Sequence, residues 1–450
     1  MSRRWLGVVL LAGWLGVSAS ARAQDPMPHA SGDLPPHAND DVPPHGTPPA
    51  PAPVAAPGSG GPGWYPPFSP VPPPVDGPMP SGEVVPPNSF SNVHPEQVGR
   101  SPRFYIGADY LLWYVRKDQV PTLATAGNVN DAVPAALGQP STKTLIGPGG
   151  FGAPSASGAR VTAFYWFDQD HTLGLDASGF WMNDAMRQAV VGGTGDVNGQ
   201  VVARPFFNPN FNTQDSDPVS VPSVLSGGLV IRESRSFMGA EANARYSLCV
   251  DCGPVTRVTF LAGGRWLYLD EALNFVEQVN ELPDSLGTPG NTFNIAENFN
   301  TYNRYYGGQI GLETESRVGP VVLTVAAKVG CGETYETVKT GAGTRVTEPD
   351  GTVIVDPTRG LLVQPSNLGR SSTNKFSVVP ELAANLAWEF NEHFRVSVGY
   401  NFLFWSSVLR PGETIDPVVS PGAVGDVGQL GVAGRPSLVL LHSTDFWAQG

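Results

Sequence analysis

Long stretches of this chain obey a period of two. In "SFMGAEANARYSL" (236–248), Met238, Ala240, Ala242, Ala244, Tyr246 and Leu248 share one face, while Gly239, Glu241, Asn243, Arg245 and Ser247 share the other. "TRVTFLAGGRWLYLD" (256–270) sets Val258, Phe260, Ala262, Trp266 and Tyr268 against Arg257, Thr259, Gly263 and Arg265. "YYGGQIGLETE" (305–315) and "FRVSVGYNFLF" (394–404) follow the same rule. Successive side chains point to opposite sides only in a strand, so each segment is a strand with one apolar face. The rule also accounts for Asp109 in "RFYIGADYLLWYV" (103–115). Phe104, Ile106, Ala108, Tyr110, Leu112 and Tyr114 lie on one face, with Gly107 and Asp109 on the other.

A secreted β-sandwich alternates too, but three features favour strands that cross a bilayer. Soluble strands run roughly five or six residues, and these are about twice that, the length a tilted transmembrane strand needs. Aromatics gather near segment ends: Phe164 to Phe167, Trp181, Trp266 with Tyr268, Trp388 with Phe390, and Phe402 to Trp405. They read as interfacial girdles. Tight connections at 168–171, 250–254, 317–320 and 391–393 alternate with long ones near 116–157, 184–231, 271–301, 337–374 and 410–440. Short inner turns and long outer loops string an outer-membrane barrel. The expected fold class is therefore all-β, an antiparallel transmembrane β-barrel of about 10 strands (10–12) over residues 103–450. The strands are expected near 103–115, 158–167, 172–182, 233–248, 255–269, 302–316, 321–336, 376–390, 394–408 and from about 441.

The first 102 residues read differently. Arg3 and Arg4 precede an apolar run from Trp5 to Val17 and the small-x-small site Ala21-Arg22-Ala23, as in a secretory signal over 1–23. No cysteine precedes Cys249, which argues against a lipoprotein anchor. Residues 24–102 hold stretches such as "VPPHGTPPAPAPVAAPGSGGPG" and cannot bury enough apolar surface to offset their ordering entropy. They are expected to be a disordered, semi-rigid periplasmic spacer able to reach a partner such as the cell wall. His29, His37 and His45 recur at eight-residue intervals within it, but nothing rigid gathers them into a metal site. The formal net charge of −13 argues against nucleic acid as a partner.

Several stretches resemble the beta-barrel porin-7 family of bacterial outer-membrane proteins. They are "ADYLLWYVRKDQVPTLATAG" (108–127), "YNRYYGGQIGLETES" (302–316), "NKFSVVPELAANLAWEFNEHFRVSVGYNFLFWSSVLRPGETID" (374–416) and "STDFWAQG" (443–450). The resemblance implies an outer-membrane barrel with outer-membrane lipid as its surroundings, and no catalytic residues. Family members continue about half a strand beyond the equivalent of "FWAQG". The expectation for a chain stopping at Gly450 is a truncated frame, or a short last strand with imperfect closure.

The polar faces supply the candidate functional residues. Asp109, Arg160, Asp176, Glu241, Arg245, Arg257, Arg265, Glu313, Glu315, Lys328, Glu381, Glu389 and Arg395 are expected to line the lumen. Either they tune the passage of small solutes or ions, or they pair across the lumen and plug it. A barrel of about ten strands sits near the size that side chains alone can fill. Passive passage through a narrow charged lumen is the first expectation, and a plugged structural or adhesive protein is the alternative. A barrel hydrolase is more remote: His171 and His393 fall in inner turns, and only His442 has Ser443 and Asp445 nearby. Cys249 and Cys252 suit a local disulfide in an oxidising compartment better than zinc or redox chemistry. Cys331 is left over, buried or lipid-facing beside Val329. No cofactor, metal or catalytic residue is expected.

Overall fold

The period-two segments become ten antiparallel strands joined edge to edge in a ring. In chain order they are β1 (Phe104–Val115), β2 (Ser155–Trp166), β3 (Leu173–Met182), β4 (Leu225–Cys252) and β5 (Val255–Glu281), followed by β6 (Thr292–Val318), β7 (Val321–Thr347), β8 (Gly369–Glu389), β9 (Arg395–Val408) and β10 (Thr444–Gln449). Each pairs with the next, and β10 pairs with β1 to close the circle. This computed structural model describes residues 103–450 except 253–254, 284–288, 391–394, 421–434 and 438–441. The expected signal, the Pro-rich spacer and His393 lie outside the described residues.

Alternation of exposure follows the sequence pattern. Along β1 the outward residues include Ile106 (63% exposed) and Tyr110 (77%), whereas Leu111, Trp113 and Val115 are buried inside. Asp109 points inward, across from Arg160 on β2. The inner turns are stabilised locally. Asp168 accepts hydrogen bonds from the Thr172 and Leu173 amides (2.7 and 3.0 Å), which hold its carboxyl below the usual range. Gly319 takes φ +60° in the two-residue turn between β6 and β7, a conformation that favours glycine.

The last strand closes the ring along its outer half. Phe402 to Val408 of β9 pair with Gln449 to Thr444, and Tyr114 and Val115 of β1 pair with Gln449 and Ala448. Asn401 exchanges both backbone hydrogen bonds with Gly450 (2.7 and 2.9 Å).

The expected strand lengths need correction. β4 to β7 run 28, 27, 27 and 27 residues, so most of the connections expected at 271–301 and 337–374 are strand. The hydrophobic phase explains why they continue. From Val258 to Tyr268 the outward positions of β5 are largely apolar and face lipid; that stretch is roughly 36 Å of strand at about 3.3 Å per residue. At a tilt of about 40° it spans about 28 Å, close to the hydrocarbon thickness. From Asp270 the outward residues turn mostly polar (Asp270, Asn274, Gln278 and Asn280, with Ala272 and Val276 between them), while Leu273, Phe275 and Val279 point inward. The same ladder thus leaves the membrane and becomes the wall of a water-exposed outer region with its own core.

The long connections fill that wall. Ala185–Gly193 pairs onto β4 and Val353–Asp356 onto β7. Thr213–Ser220, Val201–Asn208, Ala124–Gly127 and Lys143–Ile146 form a second sheet in that order, and Asp118–Val120 pairs with Gly149–Phe151. Val120, Ala124, Ile146, Phe151, Val202, Phe206 and Val219 from these pieces pack against Leu229, Ile231, Leu273, Phe275, Val279 and Phe299 of the wall. Phe275 lies 6.0 Å from Phe299 and 5.2 Å from the Arg204 guanidinium. Phe275→Ala is expected to destabilise the outer region by about 3–5 kcal/mol. Limited proteolysis should then cut residues 116–154 and 184–224 while the ring keeps its heat-resistant migration; unchanged protease resistance refutes the assignment of this core.

Candidate functional site: the barrel lumen

The inward residues of the ring stack in layers. At the inner end Arg317 pairs with Glu389 and with Glu315 (3.7 Å), and Arg395 lies 3.9 Å from Glu389. Above them the Arg257 guanidinium is 3.3 Å from His171 Nδ1 and rests over the Trp166 ring at 5.2 Å. Arg245 joins Asp176 (3.1 Å) to Glu313 and sits between Phe164 (5.5 Å) and Trp166 (5.4 Å). Arg160 donates to Asp109 at 3.0 Å. A quartet follows: Arg265 bridges Glu241 and Glu381, and Lys328 reaches the same two carboxylates, Glu381 at 3.4 Å. Gln309 ties the quartet to Asn243 with a 2.6 Å hydrogen bond. Each of these cations therefore meets a carboxylate, apart from Arg257 with its histidine, and no ring of one sign remains among the described residues.

Over the ionic layers lies an apolar one. Phe237, on β4, is its hub, with ring centroids 5.0 Å from Phe180, 5.0 Å from Phe446, 6.1 Å from Trp113 and 6.5 Å from Trp405. Leu111, Leu267, Leu269, Val379, Leu403 and Tyr305 complete the cluster. Gly307 lies directly against the Tyr305 hydroxyl, where a Cβ has no room, so glycine there lets the ring fold flat across the lumen. Trp405 donates its indole N–H to Thr334 (2.9 Å) and is wholly buried. The girdle reading is corrected here: Tyr165, Phe167, Trp181 and Trp388 do face outward, but Phe164, Trp166 and Trp405 point into the lumen. Their position at segment ends was visible in sequence, but their parity had to be read residue by residue.

A second ionic assembly, not recognised from sequence, lies above the apolar layer in the outer region. Arg410, wholly buried, pairs with Glu271 (2.9 Å from Nε) and approaches Asp118 (3.8 Å). Beside them Arg235 pairs with Glu233 at 3.6 Å. Farther out, Arg204 joins Glu277 (3.0 Å) to Glu297, which also accepts the Val363 amide (2.8 Å). Burial pushes Asp118 and Glu233 each up to about 7, against the pull of their arginines. Burial, with the Asp217 charge adding to it, raises Glu277 to about 8, and burial raises Asp217 itself to about 6. The signal for this layer was present at Glu271, Leu273, Phe275, Glu277 and Val279, which continue the β5 alternation.

The remaining chemical candidates fall elsewhere. Cys249 and Cys252 are joined as a disulfide at the inner end of β4, and Cys331 is free and exposed on the outer face. Ser443 donates to Glu336 (2.6 Å), while His442 lies in the wall of a cavity of about 410 Å³ with Glu413 and Asp416. That cavity, and a second of about 240 Å³ around Gly193, Asp196 and Ser220, both lie in the outer loops. Among the described residues no group of three or more His, Cys, Asp or Glu is arranged to hold a metal ion.

The profile of one family, described as Putative beta barrel porin-7 (BBP7), matches residues 105–450. No curated protein matches the chain.

Two outcomes follow from the outer ionic assembly. Arg410→Ala leaves Glu271 and Asp118 buried without their cation and is expected to cost about 3–5 kcal/mol. Chemical denaturation of the outer region, followed by the fluorescence of a probe on residue 145, checks this; a loss under about 1 kcal/mol refutes it. The second concerns pH. With Asp118, Glu233, Glu277 and Asp217 raised, the folded chain binds more protons than the unfolded chain across roughly pH 4–8. Stability of the outer region therefore falls as pH rises through that window. Hydrogen exchange of residues 225–235 and 271–281 should show more protection at pH 5.5 than at pH 8.5, after correction for intrinsic rates.

Proposed function

The chain belongs to the beta barrel porin-7 family, and on that premise we propose that this outer-membrane barrel is closed by its own side chains and serves as an envelope element displaying a folded outer region. The layer centred on Phe237 carries this reading, because rings from β1, β3, β4, β6, β9 and β10 meet across the lumen. A dry apolar layer blocks ions by denying them hydration. The paired layers below support it as well, since a cation such as Arg265 held between two carboxylates is a strut and offers no free charge to a passing solute. Passive passage of solutes requires both layers to be displaced. No catalytic role is assigned: Ser443 is engaged by Glu336, while His442 lines the outer-loop cavity with Glu413 and Asp416. The Pro-rich arm fits a periplasmic tether to the cell wall in the same scheme, with the export signal preceding it.

Planar-bilayer recording of the refolded chain tests the proposal. The wild type should insert without conductance steps. Phe237→Ala combined with Trp405→Ala should produce salt-dependent steps, and adding Arg265→Ala should shift their ion preference. Stable steps from the wild type overturn the closed-barrel reading in favour of a channel.

A further inference from the structure

Above the membrane belt, the outward face of β4 to β8 has a sign bias that the net charge of −13 conceals. Arg232, Lys339, Arg345 and Arg370 are exposed there, and from the row Ser236 (β4), Asp270 (β5), Tyr302 (β6), Thr337 (β7) and Ser372 (β8) upward Asp270, in that lowest row, is the one carboxylate on that face among the described residues. Above Asp270, the acidic groups Glu233, Glu271, Glu277 and Glu297 of the same strands point inward.

Within this face Lys339 and Arg370 are direct cross-strand partners. Like charges placed opposite each other on a sheet repel, and among the described residues neither side chain has an ion pair. An arrangement that costs stability in the free protein is relieved by an anion lying between the two. Asn300 is the register partner of Lys339 on the other side, and Asn298 and Asn274 are partners in the next row up. Arg304 sits lower, at the girdle, 5.7 Å from the Tyr268 ring.

Height selects the anion. Lys339 is four residues beyond the girdle residue Tyr335 on β7, about 13 Å of strand and about 10 Å of height at a 40° tilt. The polar headgroup zone of a simple phospholipid reaches only about 5–8 Å beyond the hydrocarbon. A phosphate carried on sugar reaches farther, and primary amides such as Asn300 and Asn298 suit sugar hydroxyls.

We propose that this face binds a phosphorylated glycolipid of the outer leaflet, with a phosphate between Lys339 and Arg370 and sugar hydroxyls on the asparagine rows. The inference rests on the outer-membrane placement of the barrel. Its test uses the full chain refolded in zwitterionic detergent micelles and native mass spectrometry to count bound lipid. The probes are a bisphosphorylated diglucosamine lipid, its dephosphorylated form, phosphatidylglycerol and inorganic phosphate. The phosphorylated glycolipid should be retained, and Lys339→Gln with Arg370→Gln should weaken it about 30-fold, roughly fivefold per cation. Lys339→Arg with Arg370→Lys should retain it, as should the control Lys143→Gln on an outer loop. Equal retention of the dephosphorylated lipid, of phosphatidylglycerol, or by the double glutamine variant overturns the proposal, as does displacement by millimolar inorganic phosphate. Heat-modifiable migration separates the two readings. A wild type that migrates as a barrel but holds no phosphorylated glycolipid overturns this inference alone. A wild type without such migration overturns the placement on which it rests.

Discussion

Backbone hydrogen bonding is the constraint from which the rest of this structure follows. Inside a bilayer no water is available to a free N–H or C=O, so a sheet that crosses it is driven to close on itself. Here closure depends on β10, a strand of six residues wedged between β9 and β1. Ten strands then set the lumen at a width that side chains from opposite walls can bridge. Inward side chains such as Arg265 and Phe237 consequently meet neighbours across the barrel as well as along it, and those neighbours must be chemically compatible.

That requirement accounts for the order of the layers. An unpaired charge in a narrow lumen costs several kcal/mol, and pairing with good geometry offsets most of that cost. Arg245, Arg265 and Lys328 each engage two carboxylates, so the ionic layers close without leaving a surplus of either sign. The ring of aromatics above them needs no pairing, only volume, and the glycine at 307 supplies space for Tyr305. A channel lined by fixed charge wants the reverse: free side chains, one sign, and water between the walls.

The second consequence is that one set of strands serves two solvents. On β5 the lipid-facing series Val258, Phe260, Ala262, Trp266, Tyr268 gives way to the inward series Leu273, Phe275, Val279, with the hydrogen-bond ladder unbroken. The apolar phase shifts by one residue where the solvent outside changes from hydrocarbon to water. Above that point the interior must be dry and the exterior wet, as in any soluble sheet. The connections between strands therefore fold into the space within the wall and bring Arg204 and Arg410 into a core where buried carboxylates receive their charge.

Sequence by itself determined the all-β class, the ten strands, their directions and the inward position of Asp109, Arg245 and Arg265. Those properties depend on a period of two and on turn chemistry, which are local and repeat in every segment. It also pointed to Cys249 and Cys252 as a local pair, which the fold carries at the inner end of β4 and not in the turn beyond it. The lengths of β4 to β7 escaped, because a shift in hydrophobic phase looks like the end of a strand when only one phase is followed; Leu273 and Phe275 read as loop until their inward direction is known. The luminal seal escaped for a different reason. Trp113, Phe180, Phe237, Trp405 and Phe446 come from five strands spread over more than 300 residues, and nothing local says that they meet. The pairing of Arg410 with Glu271, 139 residues away, is of the same kind. Only the closed ring decides such contacts, since the shear and circumference of the barrel determine which rows face each other across the lumen.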